Sequence, residues 1–564
     1  MSASARVLAH PLAALAALVL LACALSASTW STFGHTWDEP EHLASGLTLL
    51  DHGIYEYDIQ HPPLARVFLA VGPYLAGARS QGSPPPDGKP EGDAILYGSG
   101  HYDEYLTLAR AGALPFLALF IVMAFVLARP LTSTAGALLA AALCATTPVV
   151  LGHGGLATLD VPAAATCLLA LDAVQRWLQR GRVRDALWLG LALGIAVATK
   201  LSAIPFVGLG ALALAALAAW AGGASLAPAR PRSRIGQLVI VGFVAALFLT
   251  LIYGGRFVYL TNESHVYSQP LAYLFGYSGK VHDLAYAIAA KVPVPDALRL
   301  ILGGIEALSY HNQLGHPSYL LGEVRRGGWW YFYIIALAVK TPLPLLILGL
   351  AGLGILAREG IRTRAAASLA LPVLFVVLLG FCSLYSRINI GVRHVLVLYP
   401  LLAIGATVSV MRLLAYARAA GGGGARRLVL PTLALLLLWE ASALALSWPD
   451  YLSYFNEGVR NPEAVLIDSD LDWGQDLKRL AARLAALRVP SLSFAYLGSA
   501  DLKREHLPPV VLLKGDERAS GWIAVTALAR AHAPDRFRWL DRYAPREHVG
   551  TSIDLYYLPA APSP

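Results

Sequence analysis

The stretch TLARAGALPFLALFIVMAFVLA, residues 107–128, is almost continuously apolar over 22 residues. The hydrocarbon core of a bilayer is about 30 Å thick, so a helix that crosses it needs roughly 20 apolar residues. Similar runs recur along the chain, which is 56% hydrophobic and only 14% charged, with a mean hydropathy of +0.56. The sequence therefore predicts an integral membrane protein.

About eleven apolar runs are predicted to be transmembrane helices. They lie near residues 11–30, 107–128, 132–148, 161–178, 185–200, 201–221, 236–256, 330–356, 367–386, 394–411 and 429–448. The four cysteines, Cys23, Cys144, Cys167 and Cys382, all fall inside these runs. They therefore indicate neither a disulfide framework nor a CxxC metal site.

Clusters of arginine between the runs predict the orientation. The short segments RWLQRGRVR (176–184), APARPRSR (227–234), REGIRTR (358–364) and RAAGGGGARR (418–427) are basic and nearly free of acidic residues. The positive-inside rule places such segments, and with them the N-terminus, in the cytoplasm. The formal charge of +8 is then a topological signal, so we expect membrane lipids and no nucleic acid as partners.

This orientation divides the chain into two predicted domains. Residues 1–448 form a transmembrane domain with outer loops at about 31–106 and 257–329. The tail, residues 449–564, combines a helical pattern in DLKRLAARLAALRV with strand patterns in SLSFAYLG and SIDLYYL. It is predicted to be a small extracytoplasmic α/β domain.

The position of the charges separates two classes of membrane protein. A transporter places polar residues near the bilayer midplane, whereas the deep runs of this chain are almost uncharged apart from Asp172 and Glu440. Ionisable residues instead crowd the predicted outer ends of the spans. This pattern favours an enzyme at the membrane surface; the alternative is a transporter or flippase of lipid-linked saccharides without transferase activity.

Several motifs together resemble a known family. They are the Asp38-Glu39 pair after the first span, HPPLA (61–65), GGLATLDVPAAA (154–165), ATK (198–200), GHPSYLLGE (315–323), KTPLP (340–344), NIGVRH (389–394) and DSDLDWGQDLKRL (468–480). In this order and topology they resemble bacterial, phospholipid-carrier-dependent glycosyltransferases of the GT-C superfamily, similar to protein O-mannosyltransferases and lipid A aminoarabinose transferases.

The resemblance implies a GT-C fold and a specific activity. A sugar would be transferred, with inversion, from a polyprenyl-phosphate-linked donor to an acceptor on the outer face of the bacterial cytoplasmic membrane. The acceptor would be a protein, a lipid or a glycan, and neither it nor the sugar, hexose or pentose, follows from the sequence.

Three carboxylates are the predicted catalytic residues. An acceptor hydroxyl is a poor nucleophile, so a carboxylate must take its proton, and the family resemblance assigns this role to Asp38. Glu39 would then orient the acceptor or the lipid carrier; the alternative is that the two residues exchange these roles. Asp160 would face the same cavity. The alternative is structural: Asp38 and Asp160 would each cap a helix that begins at the following residues, and Glu39 would lie in a first turn favoured by the helix dipole.

Cations at the outer ends of the spans are predicted to bind the donor phosphate. Negative charge builds on this phosphate as the sugar leaves, and fixed positive groups must stabilise it. The candidates are Lys200, Arg387, Arg393 and His394, with Arg393 as the main ligand because its guanidinium binds two oxygens at once. Alternatively, these side chains snorkel to the outer headgroups.

A metal ion is a further alternative. Related aminoarabinose transferases have an acidic residue followed by lysine where this chain has His61-Pro62. The resemblance therefore does not by itself predict a metal site in this chain. His61, His265 and His316 remain candidate ligands of a divalent metal, and no other cofactor is indicated.

The tail motif DWGQDL (472–477) matches the family, but no chemical role follows from it. Turns and helix caps account for Asp470 and Asp472 as well as a DxD metal site does.

Overall fold

The computed structural model describes residues 10–222, 231–260, 274–276, 278–419, 423–514 and 517–559. Its helices are α1 (Pro11–Ala27), α2 (Glu39–His52), α3 (Pro63–Leu75), α4 (Lys89–Gly98), α5 (Tyr102–Ala111), α6 (Leu114–Ala128), α7 (Thr134–Thr146), α8 (Pro148–Gly154), α9 (Asp160–Arg180), α10 (Val183–Thr199), α11 (Ala203–Trp220), α12 (Pro231–Ile252), α13 (Lys280–Ala289), α14 (Asp296–Leu314), α15 (Phe332–Lys340), α16 (Leu343–Thr363), α17 (Ala366–Tyr385), α18 (Leu398–Ala419), α19 (Gly423–Leu446), α20 (Leu477–Ala486), α21 (Ala527–His532) and α22 (Pro534–Phe537). The strands are β1 (Phe257–Val258), β2 (Val294–Pro295), β3 (Pro317–Leu320), β4 (Glu323–Arg326), β5 (Leu492–Ala495), β6 (Val510–Leu512), β7 (Gly521–Thr526), β8 (Glu547–Val549) and β9 (Ile553–Leu558).

The apolar runs are helical, as predicted. Within the described residues, seven helices are long and apolar enough to span a membrane, or eight if α7 and α8, which meet at 64°, form one bent span. The remaining predicted runs correspond to α1 and α10, of 17 residues each, and to the more polar α9. The chain is thus a multi-pass helical membrane protein.

One predicted span differs from the structure. The run at 330–356 is not a single helix, because α15 ends at Lys340 and α16 begins at Leu343. Pro342, between them, has an extended backbone with ψ of 132°. Proline lacks an N–H and disfavours helical geometry in the preceding residue, so KTPLP ends one helix and starts the next.

Close packing between α16 and α18 fixes the centre of the bundle. A Cβ on Gly352 would overlap the carbonyl oxygen of Gly405, so the two backbones approach each other more closely than any larger residue permits. Without water, helix association depends on such van der Waals contact, which small residues allow.

The two ends of the bundle differ in charge. Helix α9 has 21 residues, about 30 Å, and runs from Asp160 to Arg180. The basic segments at 176–184, 358–364 and 418–427 adjoin the C-terminal ends of α9, α16 and α18. The N-terminal ends of α9 and α18 and the C-terminal end of α17 therefore lie at the opposite, less basic end.

Helices α2 to α5 lie at that end. Their buried apolar side chains form one cluster that also includes Ala113 and Phe116 at the start of α6. The N-terminal outer loop predicted at 31–106 is therefore mostly helical, and it is packed against the end of the bundle.

The tail contains a five-stranded mixed sheet with strand order β6-β5-β7-β9-β8. β5 is parallel to β6 and β7, while β9 is antiparallel to β7 and β8. Side chains of one face, including Phe494 and Leu555, pack against α20, and the other face packs on Phe537 and Leu540. The predicted α/β character is confirmed, whereas the domain boundary near 448 stays a prediction.

Candidate active site

A cavity of about 670 Å³ lies at the less basic end of the bundle. Its wall combines side chains from the segment before α2, from the starts of α9 and α11, from α14, and from the turn between α17 and α18. The lining has a charged part and an apolar part. In the apolar part, Phe206 of α11 meets Phe381 of α17 edge to face, with ring centroids 5.8 Å apart.

Four of the predicted site residues form one ion-pair network. Arg393 Nη1 lies 2.6 Å from Asp38 Oδ2 and 3.6 Å from Asp160 Oδ2. Asp160 Oδ1 in turn accepts a hydrogen bond from Lys200 Nζ at 2.7 Å. The network thus alternates carboxylate, guanidinium, carboxylate and ammonium, and all four side chains line the cavity.

The capping alternative does not describe Asp38 or Asp160. Asp38 precedes α2 but makes no hydrogen bond from its side chain to the first turn, and it points instead to Arg393. Asp160 is the first residue of α9 rather than the residue before it, and its oxygens face Lys200 and Arg393. Asp38 is 25% exposed whereas Asp160 is 2% exposed. Asp38 is therefore the more accessible carboxylate.

Arg393 lies in a short 3-10 turn, Val392–Val395. Its guanidinium carbon is 4.3 Å from the centroid of the Trp473 ring, a cation–π geometry. Burial disfavours its charge, but Asp38 and Asp160 outweigh this and raise the pKa of Arg393 above its usual value. Its buried Nε has no hydrogen-bond partner among the described residues.

His394 also lines the cavity, and it differs from Arg393 in the direction of its pKa shift. Its Nδ1 is 3.1 Å from Tyr333 Oη, and this hydroxyl donates to the Ile388 carbonyl. Burial, reinforced by the nearby Lys200 and Arg393, lowers the pKa of His394 well below its usual value. The lowered pKa disfavours the cationic form of His394 that was predicted to bind the donor phosphate.

Two predicted site residues lie outside the cavity. Glu39 is 1% exposed and is bound by Arg110 Nε at 2.8 Å and by the backbone N–H of Ala157. Its carboxylate is bound inside the protein and does not line the cavity. The Arg387 side chain is exposed and does not line the cavity. Only its backbone contacts cavity residues: the carbonyl accepts from the N–H of His316, and the N–H donates to Asn312 Oδ1.

The structure describes two of the three histidines proposed as metal ligands. His61 and His316 both line the cavity, and His265 lies outside the described residues. His316 pairs with His311 at 3.5 Å, whereas His61 lies 3.9 Å from Asp58. No group of three His, Cys, Asp or Glu side chains in the described ranges is arranged to hold a metal ion.

A second charged cluster in the cavity wall was not predicted from the sequence. Buried Arg66 binds Asp58 and donates to His42 Nδ1 at 3.2 Å, and Glu41 pairs with Lys89 at 3.0 Å. Part of this cluster could have been predicted from the spacing of Glu41 and His42. They follow Asp38 by three and four residues, and residues at this spacing share one helix face. The partners come from other segments and have no such signal.

Comparison with known proteins gives one family match. Residues 107–253, roughly a quarter of the chain, match the family described as dolichyl-phosphate-mannose-protein mannosyltransferase. No curated protein matches the sequence.

Solved membrane enzymes are also similar, at low identity. ArnT from Cupriavidus metallidurans, solved in the apo state and with undecaprenyl phosphate, has 13% identity and a TM-score of 0.47, covering 96% of this chain and 97% of that chain. AglB from Archaeoglobus fulgidus has 13% identity and a TM-score of 0.49, covering 96% and 74%. The Pmt1–Pmt2 complex of S. cerevisiae has 18% identity and a TM-score of 0.32, covering 43% and 33%.

The family match bears on the resemblance that the motifs predict. It lies over α6 to α12 and includes two members of the ion-pair network, Asp160 and Lys200. The predicted resemblance to GT-C glycosyltransferases is thereby confirmed, and over residues 107–253 the chain is similar to mannosyltransferases that use a lipid-phosphate-linked sugar.

Proposed function

We propose that this protein transfers a sugar from a polyprenyl-phosphate-linked donor to an acceptor hydroxyl, with inversion at the anomeric carbon. The observation that carries the proposal is a single cavity in which an ion-pair network of two cations and two carboxylates lies beside an apolar wall. Such a donor has the matching chemistry, because it joins a phosphate to a long hydrocarbon chain. The family match supports the same donor class.

The phosphate binds between Lys200 and Arg393. Arg393 offers a fork of donors and retains its charge, while Lys200 adds a point charge. The prenyl chain lies along α11 and α17, which present Ile204, Phe206 and Phe381 to the cavity. Ile204 is 40% exposed in the structure, as expected of a side chain that faces lipid.

Asp38 is the general base. It accepts the proton of the acceptor hydroxyl while the oxygen forms a bond to the anomeric carbon, and the bond from that carbon to the phosphate oxygen breaks. The phosphodiester of the donor becomes a polyprenyl phosphate with one more negative charge, which Arg393 and Lys200 stabilise. Asp160 holds these two cations in place.

The Asp38–Arg393 ion pair belongs to the state without donor. The Asp38 oxygen that accepts from Arg393 is occupied by this contact and is not free to accept from an acceptor hydroxyl. A donor phosphate competes with Asp38 for Arg393. Donor binding thus frees the Asp38 carboxylate for the acceptor, which gives an order of events: donor first, acceptor second.

The cavity faces the outside of the bacterial cytoplasmic membrane. The basic segments adjoin the opposite ends of α9, α16 and α18, and the positive-inside rule places such segments in the cytoplasm. The tail from residue 449 then forms an extracytoplasmic domain over the mouth of the cavity.

Transfer by the purified protein tests the proposal. The protein in lipid nanodiscs is incubated with polyprenyl-phosphate sugars, hexoses and pentoses in turn, and with envelope extract as a source of acceptors. We expect free polyprenyl phosphate and a glycosylated product, both lost in Asp38→Asn. A flippase would instead move the intact donor across proteoliposomes and release no polyprenyl phosphate, and that result would overturn the proposal.

A further inference from the structure

The motif DSDLDWGQD, residues 468–476, has no part in the reaction described above, yet it is largely buried. Asp470, Asp472, Trp473 and Asp476 are each 3% exposed or less. Acidic residues are rarely buried without partners, so the contacts of this segment indicate what it holds.

One set of contacts fixes the turn that carries Arg393. Asp470 Oδ1 accepts a hydrogen bond from the backbone N–H of Val392 at 3.1 Å, and Ser469 Oγ donates to the carbonyl of Ile390. Gly391, between them, has a φ of +135°, and a Cβ there would overlap Ser469 Oγ. Two hydrogen bonds and the close approach at Gly391 therefore hold the turn 390–393 against the motif.

A second contact reaches the Arg393 side chain itself. The Trp473 ring lies against the guanidinium, with 4.3 Å between the guanidinium carbon and the ring centroid. The guanidinium lies over the ring while it donates a hydrogen bond to Asp38. A tryptophan face is the most favourable aromatic partner for such a cation.

The same motif fixes the segment that carries Asp38. The carbonyl of Trp473 accepts from the N–H of Trp37 at 3.0 Å, and the carbonyl of Gln475 accepts from the N–H of Gly34 at 3.0 Å. Trp473 therefore contacts Arg393 through its ring and Trp37, the residue before Asp38, through its backbone.

The motif is itself anchored to the bundle. Lys340, fully buried at the end of α15, donates from Nζ to the carbonyls of Asp470 at 2.6 Å and Leu452 at 2.9 Å. The KTPLP and DSDLDWGQD motifs, far apart in the chain, are thus joined by a hydrogen bond.

We propose that Trp473 and Asp470 are positioning residues, which hold the Arg393 guanidinium at the place of the donor phosphate; the proposal rests on the function proposed above. When the phosphate displaces Asp38 from Arg393, the guanidinium loses its closest partner. The ring and the fixed turn keep it from moving with Asp38. Arg393 is thereby preorganised, and less ordering is needed when the donor binds.

Fluorinated tryptophans at position 473 provide the sharpest test. Each added fluorine weakens the negative face of the ring and leaves its shape nearly unchanged. The dissociation constant for polyprenyl phosphate and the donor KM should rise stepwise, to about tenfold for the most fluorinated ring, while the acceptor KM stays constant. A flat series would overturn the proposal, because a purely structural tryptophan needs only its shape.

Conventional variants extend the test and supply a matched control. Trp473→Leu should raise the donor KM about tenfold in wild-type background and leave it unchanged in Arg393→Ala. Trp522 also stacks on an arginine in the tail, Arg546 at 5.0 Å, so Trp522→Leu should leave the donor KM at the wild-type value. Equal effects of Trp473→Leu in both backgrounds would contradict an action through Arg393.

Asp470 is tested by rescue. Asp470→Asn keeps an oxygen that accepts from Val392 and should retain donor affinity, whereas Asp470→Leu should lose it. If both variants bind polyprenyl phosphate as wild type does, the role assigned to Asp470 is wrong. Binding is measured without turnover, so this result differs from failure of the proposed function, which is absence of transfer by the wild-type protein.

Discussion

Asp38 and Arg393 are 355 positions apart in the chain, yet Asp38 Oδ2 lies 2.6 Å from Arg393 Nη1. The pair joins the segment before α2 to the turn before α18. Both side chains line the cavity, so this contact connects the predicted base with the predicted phosphate ligand.

Asp38→Asn should abolish most turnover and leave the fold intact. The amide cannot accept the acceptor proton, and loss of a general base costs roughly 10²–10⁴-fold in rate. The rate of product formation measures the loss, and thermal unfolding monitors the fold. Asp103, paired with Lys478 but 72% exposed outside the cavity, is the control; Asp103→Asn should react normally. A near-normal rate for Asp38→Asn would remove the catalytic role.

Glu39→Gln should act on stability rather than on catalysis. Removing one charge of a buried pair leaves the other uncompensated, here Arg110, and costs about 3–5 kcal/mol in the free energy of unfolding. A lowered unfolding temperature with a normal kcat in the remaining folded protein is the expected result. Glu104→Gln, at an acid that is 53% exposed, is the control and should change neither quantity. Normal stability together with a reduced kcat would restore the catalytic assignment.

Much of this architecture could be predicted from the sequence, because helices that cross a membrane require long apolar runs. The network of Asp38, Asp160, Lys200 and Arg393 was also accessible, since charges at the ends of such runs are costly unless they are used. The distinction between Asp38 and Glu39 was not accessible. It depends on Arg110, which lies inside an apolar run 71 positions away and turns toward Glu39.

The pH dependence of stability should reveal His61, whose side chain is 27% exposed at the cavity wall. Burial is the main factor that lowers the pKa of His61 to about 4, and Arg66 adds to it against the opposing effect of Asp58. In the unfolded chain its pKa is about 6.5, so between pH 6.5 and 4 the unfolded state binds more protons. The stability contributed by neutral His61 is therefore present above pH 6.5 and is lost as the pH falls toward 4.

Unfolding temperatures measured from pH 8 to pH 4 test this sign. His61→Gln should show a smaller loss of stability on acidification than wild type. His52→Gln, at a histidine whose side chain is 53% exposed, should follow the wild-type curve. A steeper acid loss in His61→Gln than in wild type would show that the charged imidazole is the one that stabilises the folded state.

Reporter fusions test the orientation. A fusion at Gly181, between α9 and α10, should report a cytoplasmic location because arginines flank this turn. A fusion after Pro564 should report an external one. The two reporters have to differ, and an external signal at Gly181 would place the cavity on the cytoplasmic side and contradict the proposed location.

Substitution of Arg393 separates geometry from charge. Arg393→Lys keeps the positive charge but loses the planar fork, the second donor for a phosphate oxygen and the flat face that lies on Trp473. Its donor KM should therefore rise well beyond the change expected from charge alone. Loss of one charge-assisted hydrogen bond costs about 1.5–3 kcal/mol, which corresponds to a rise of tenfold or more. Arg393→Ala should lose donor binding more fully.

Arg387 lies in the same turn but outside the cavity, so Arg387→Ala removes an equal charge and should bind the donor normally. Equal donor affinities in Arg393→Ala and Arg387→Ala would assign the phosphate to other cations of the cavity.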